Sequence, residues 1–131
     1  MAVDVLNRNT VPAVRLPLPH ENKRYARLVA DWTVVSCGWR ITVPEGSKTD
    51  GASIPRALWS VCGHPLTSPR VYAAIVHDYI YGGGGPLAMT RADADAVYRD
   101  LLVRLGWPKY KAYIEWAAIR ACGGSHWTKR K

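Results

Sequence analysis

Apolar positions recur along the chain with different spacings, and each spacing predicts a different element. In residues 1–24, Pro12, Pro17 and Pro19 are interleaved with apolar residues, as in Val14-Arg15-Leu16-Pro17-Leu18-Pro19, which predicts an extended arm rather than a helix. Tyr25 to Val35 is rich in Val, Trp and Thr, and Trp39-Arg40-Ile41-Thr42-Val43 alternates with a period of two. These segments predict two antiparallel strands joined around Cys37-Gly38. Pro44-Glu45-Gly46 closes them as a turn, and Ser47 to Pro69 reads as a long irregular connection with one short helix around Arg56 to Val61. Connections of that length usually carry function.

Helical signals follow. Ser68-Pro69 opens a helix over about 69–81, and the run Gly82 to Gly85 stops it. Thr90-Arg91-Ala92-Asp93 has the form of a capping box, opening a second helix that runs to about Leu105 and ends at Gly106. Pro108 starts a third helix with an apolar face of Tyr110, Tyr113, Ile114, Ala117 and Ala121, ending at Gly123-Gly124. The expected fold is α+β: an extended arm (1–24), then a single domain (25–131) with a small antiparallel sheet followed by three helices.

Composition narrows the class. The chain has 131 residues, 48% of them hydrophobic, enough for one packed domain without a disulfide staple. No apolar stretch approaches the roughly 20 residues of a membrane span, so no transmembrane segment is expected. The first residues show no basic region followed by an apolar core, so no cleaved secretory signal is expected and cytoplasmic synthesis is. Cys37, Cys62 and Cys122 are odd in number and lack a Cys-x-x-Cys pair, which predicts reduced, mostly buried thiols. A net charge of +8 favours polyanionic surroundings: phospholipid head groups, an acidic assembly partner or nucleic acid. Nucleic acid ranks last, because the cations are scattered and no reading motif is present. The six tryptophans fit either a core or an amphipathic surface, the core being the simpler reading.

The chemical signal is His77-Asp78, set inside the apolar run Val71 to Tyr81. An imidazole and a carboxylate on a buried helix cost desolvation free energy unless paired, hydrogen-bonded or metal-bound. On the second helix Asp95 shares a stripe with Tyr98, Leu102 and Leu105, so it is expected to point inward, where an antiparallel partner helix would carry His77. A carboxylate on one imidazole nitrogen fixes the tautomer and makes the other nitrogen a general base. The alternative is a satisfied structural pair without turnover. Asp78 lies about 100° around the helix from His77. There it suits a calcium site completed by carbonyl oxygens of Val61-Cys62-Gly63-His64. Asp50 is either a further metal ligand or an Asx-turn residue, and Ser53 is a weak nucleophile candidate without an elbow motif. His64 and His126 read as surface loop residues, and His20 belongs to the arm.

The pattern Ala73-Ala74-x-x-His77-Asp78-x-x-Tyr81, followed by Ala94-Asp95, resembles secreted phospholipases A2 and the phospholipase domain of parvovirus capsid proteins. That resemblance spans about 30 residues, Val71 to Leu102. It implies a phospholipase A2-like helix pair that hydrolyses a glycerophospholipid ester. In it His77 is the base, Asp95 orients it, Tyr81 belongs to the histidine network and Asp78 binds Ca2+. Gly63 stands where that family's calcium loop has several glycines, and the disulfides of the secreted enzymes have no counterpart.

A longer resemblance runs from Trp39 to Leu105: Val43-Pro44-x-Gly46, Thr49-Asp50-Gly51-Ala52-Ser53-Ile54-Pro55-Arg56, Trp59, His77-Asp78-Tyr79-x-Tyr81 and Arg91-x-x-Ala94-Asp95. It is similar to a domain-of-unknown-function family encoded mainly by tailed bacteriophages and prophages. This implies synthesis in a bacterial host and two readings. One is a His/Asp hydrolase acting on bacterial envelope phospholipid; the other is a non-catalytic tail or baseplate part that docks on other virion proteins.

Overall fold

The computed structural model describes Val14–Arg15, 26–49 and 70–128. The expected short helix at 56–61, together with His20, Asp50, Ser53, Cys62, Gly63 and His64, lies outside the described residues.

The architecture is α+β, with two small antiparallel sheets followed by three helices. Strands β1 (Val14–Arg15), β2 (Ala26–Leu28) and β5 (Lys48–Thr49) form one sheet in the order β1-β2-β5. Strands β3 (Trp32–Ser36) and β4 (Trp39–Val43) form the other, in a register that pairs Trp32 with Val43 and Ser36 with Trp39. Both central residues of the β3–β4 turn, Cys37 and Gly38, have positive φ, 52° and 80°. Such a turn matches the twist of the strands it joins.

The segment Tyr25 to Val35, expected as one strand, is two. A bend at Val29 and Ala30 carries the chain from one sheet to the other, and Asp31 Oδ1 holds it by accepting the Glu45 amide at 2.7 Å. The expected irregular stretch after Gly46 begins as β5. The Leu28 amide donates to the Ser47 carbonyl at 2.8 Å and the Gly46 amide to the Leu28 carbonyl at 2.9 Å, which lays Lys48–Thr49 onto β2.

Helix α1 (Arg70–Tyr81) packs on β2 and β5 and against α2 (Arg91–Arg104), while α3 (Lys109–Cys122) packs on α2 and leads into a 3-10 turn, Gly123–His126. The capping box forms as its pattern predicts: Thr90 Oγ1 accepts the Asp93 amide, and Asp93 returns a carboxylate oxygen to the Thr90 amide at 2.9 Å. The core is built from alternate strand positions (Leu28, Trp32, Val34, Ile41, Val43) and the facing stripes of α1 and α2.

Two expectations change at the surface. Cys37 and Cys122 are free but exposed, because one occupies the hairpin turn and the other the last turn of α3. The apolar stripe of α3 faces outward, with Tyr110, Tyr113 and Ile114 exposed at 65%, 44% and 39%. The helix instead buries Ala112, Glu115 and Ile119. Among the described residues no helix is long and apolar enough to cross a membrane.

Candidate functional site

Facing stripes of α1 and α2 bring His77 and Asp95 together. His77 is 1% exposed and Asp95 fully buried, and His77 Nε2 lies 2.8 Å from Asp95 Oδ1. One turn further along α1, the Tyr81 hydroxyl donates to the same oxygen at 2.5 Å. The imidazole lies between two phenol rings, with centroids 4.1 Å away for Tyr81 and 5.1 Å for Tyr98. On its other side His77 Nδ1 is 3.6 Å from Asp78 Oδ1. Asp78 is partly exposed, and its second oxygen accepts the buried Thr49 hydroxyl from β5. The helix pair thus gives the two imidazole nitrogens different surroundings: Nε2 is fixed on the buried carboxylate of Asp95, and Nδ1 lies beside the partly exposed carboxylate of Asp78.

The electrostatics follow from burial and pairing. Desolvation opposes the charged imidazole, but Asp78 and Asp95 outweigh it, so the His77 pKa is raised above 6.5. Burial would raise the Asp95 carboxyl, yet hydrogen bonds from His77, Tyr81 and Arg120 hold it below the usual carboxylate value. Burial, and then the bond to Asp95, push the Tyr81 phenol far up, so it remains a donor.

Two arginines complete the network. Arg120 Nη1 on α3 donates to Asp95 Oδ2 at 2.8 Å. Arg91 Nε donates to the Tyr81 hydroxyl at 3.1 Å, while its Nη2 caps α3 through the carbonyls of Ile119 and Arg120 at 2.7 and 2.8 Å. The chain also closes over Tyr81. A Cβ at Gly123 would come within 3.2 Å of its hydroxyl, and Trp127 stands edge-on to its ring at 5.3 Å. Arg91 stands in the Arg91-x-x-Ala94-Asp95 pattern without a role that the sequence assigns, and Arg120 carries no sequence signal, since a basic residue near a helix end has an ordinary solvated role.

A second buried polar cluster adjoins the first. Arg70 and Glu115 are both fully buried; Arg70 Nε and Nη2 donate to Glu115 Oε1 at 2.9 and 2.8 Å. Tyr98 donates to the same oxygen at 2.9 Å and Trp107 Nε1 to Oε2 at 3.0 Å. Burial, and then the Glu115 charge, raise the Tyr98 phenol. A sequence signal for this cluster was present: Glu115 interrupts the apolar run Tyr113-Ile114-Glu115-Trp116-Ala117 in the way His77-Asp78 interrupts its own.

Of the sequence-derived site residues, the structure unites His77, Asp78, Tyr81 and Asp95; Asp50 and Gly63, expected as metal ligands, lie outside the described residues. Among the described residues no group of three or more His, Cys, Asp or Glu is placed to hold a metal. Among the described residues Asp78 is the carboxylate beside Nδ1, and Asp95 is already engaged by His77, Tyr81 and Arg120. The described donors alone do not fit a calcium ion.

Residues 26–119 match the family described as "Protein of unknown function (DUF1353)", and the chain belongs to that family. Two curated relatives come from Sinorhizobium fredii (strain NBRC 101917 / NGR234). The uncharacterized protein y4jT is 43% identical over 42 residues, covering 32% of this chain and 12% of its own. The uncharacterized protein y4iH is 31% identical over 86 residues, covering 66% of this chain and 34% of its own. The chain therefore matches about a third or less of the length of either relative. No solved structure matches it.

Proposed function

We propose that this is a phage-encoded His/Asp hydrolase of phospholipase A2 type, acting on an ester of a bacterial envelope phospholipid. The observation that carries the reading is the 2.8 Å contact of His77 Nε2 with buried Asp95, which leaves Nδ1, 3.6 Å from the Asp78 carboxylate, as the nitrogen that can take up a proton. In neutral His77 the proton sits on Nε2 and is donated to Asp95 Oδ1, so the Nδ1 lone pair is the base. Nδ1 removes a proton from water as the water oxygen bonds to the ester carbonyl carbon. Asp95, held by Tyr81 and Arg120, stabilises the resulting imidazolium. Collapse of the tetrahedral intermediate breaks the bond to the alcohol oxygen, which takes the proton back from Nδ1. The products are a fatty acid and a lysophospholipid.

Burial of His77 at 1% exposure supports a second reading, in which the network locks α1 to α2 and the protein is a non-catalytic phage tail or baseplate part that docks on other virion proteins. Mass-spectrometric detection of fatty acid and lysophospholipid, from mixed bacterial phospholipids with calcium or with chelator, separates the two. Product formation by the wild type that is lost in His77→Gln and Asp78→Asn is expected for the hydrolase. Absence of product under both conditions, with all three proteins folded, removes it.

A further inference from the structure

The apolar stripe of α3 that faces solvent is unexplained by hydrolysis at His77. Tyr113, Ile114, Ala117 and Ala121 follow Tyr110 at offsets of three, four, seven and eleven residues, which places all five on one side of the helix. All five are exposed. A stripe two or three turns long, with two aromatic rings and a β-branched side chain, is more than the scattered apolar residues of an ordinary surface.

Cations border it on both sides. Lys109 lies on one flank and Lys111 on the other, given 100° per residue. Arg99 of α2 reinforces the Lys109 flank, stacked between Tyr113 and Trp116 with its guanidinium carbon 4.8 and 4.7 Å from the two ring centroids. The only carboxylate of α3, Glu115, is fully buried against Arg70, so the helix itself adds no negative charge to its outer face.

We infer that this face of α3 docks on an anionic phospholipid surface, with Tyr110, Tyr113 and Ile114 entering the boundary between head groups and acyl chains and Lys109, Lys111 and Arg99 meeting the phosphates. An amphipathic helix with an aromatic and aliphatic face rimmed by basic residues binds such interfaces in its plane. The charge pattern selects lipid over a second copy, because self-association through this face would bring the basic rims of two copies together. The aliphatic members of the stripe, Ile114, Ala117 and Ala121, offer no side-chain hydrogen bond to a nucleic acid, whereas they suit an acyl-chain boundary. The inference goes beyond the hydrolase reading, since it concerns the docking surface and not the bond cleaved.

Co-sedimentation of the full chain with phosphatidylethanolamine/phosphatidylglycerol vesicles tests it, using phosphatidylcholine vesicles for comparison. The His77→Gln form serves as background, so that binding is read whether or not lipid is hydrolysed. Expected is salt-sensitive binding to the anionic vesicles, weakened about ten-fold or more by Tyr110→Ser/Ile114→Ser. Lys109→Gln/Lys111→Gln should remove the preference for anionic over zwitterionic vesicles. These side chains are at the surface, so matched melting curves are expected, and the C-terminal Lys129-Arg130-Lys131 is intact in every variant. Failure of the parent to bind anionic vesicles overturns the inference. So does binding that Tyr110→Ser/Ile114→Ser leaves unchanged, or a concentration-dependent dimer that the same pair abolishes.

Discussion

Asp95 binds His77 and Arg120 through different oxygens: Oδ1 lies 2.8 Å from His77 Nε2, and Oδ2 accepts Arg120 Nη1 at the same distance. With Tyr81 also donating to Oδ1, the carboxylate faces donors only. An asparagine in its place must turn its amide NH2 toward one of them. Asp95→Asn is therefore expected to cost about 2–3 kcal/mol, the scale of hydrogen bonds to a charged group. Denaturant unfolding checks this; a loss under about 0.5 kcal/mol would show that the carboxylate is not the anchor.

The pKa directions fix the pH dependence of that anchor. The folded-state pKa of Asp95 lies below 3.8, so its contribution is present above 3.8 and is lost as pH falls through the folded value. That of His77 lies above 6.5, so its contribution is complete below 6.5 and is lost as pH rises through the folded value. Between 3.8 and 6.5 both act. In thermal melts against pH, the stability advantage of wild type over His77→Gln should shrink on the alkaline side. Hydrolysis needs neutral His77, so its rate should rise over the same alkaline range in which the pair loses stability.

The buried Arg70–Glu115 pair adjoins the His77 network through Tyr98 and gives a second stability prediction. Glu115→Gln removes the charge facing a fully buried guanidinium and should cost about 3–5 kcal/mol. Arg70→Met/Glu115→Leu should recover part of that loss, because apolar residues dispense with the desolvation of both ions, while Tyr98 and Trp107 lose their acceptor. A double variant no more stable than Glu115→Gln in urea would contradict this.

Gly123 tests the closure over Tyr81. A Cβ there would meet the Tyr81 hydroxyl and Ile119 Cγ2, each at 3.2 Å. Gly123→Ala should cost about 1–3 kcal/mol as the phenol is displaced. Shifted amide signals of Tyr81 and Asp95 in a heteronuclear NMR spectrum are the expected signature, and an unchanged spectrum would contradict the packing.

Much of this was legible in the sequence, and for identifiable reasons. The capping box at Thr90, the glycine stops and the Cys37-Gly38 turn are local signals that act through their own backbone, and each appears where its residues stand. Asp95 could be aimed at His77 because one helical stripe fixes a direction. Other features depend on partners distant in sequence. The division of Tyr25 to Val35 into two strands depends on Asp31 meeting Glu45. Arg120 reaches Asp95 only through the packing of α3 on α2. Periodicity also located the apolar stripe of α3 without saying which side of the helix packs, because Ala112, Glu115 and Ile119 form an equally regular stripe once Arg70 neutralises the glutamate.

The most direct test of catalysis at His77 is the rate of fatty-acid release from phosphatidylglycerol-containing vesicles by three proteins, each held at a denaturant-free temperature where it is folded. These are the wild type, His77→Gln and Glu115→Gln, the last being destabilised in the adjoining Arg70 cluster with the imidazole itself retained. Release by wild type and by Glu115→Gln, with a fall of about 10²-fold or more in His77→Gln, is the predicted result. Equal rates in wild type and His77→Gln, or no release by any of the three, would contradict the assignment of His77 as the base.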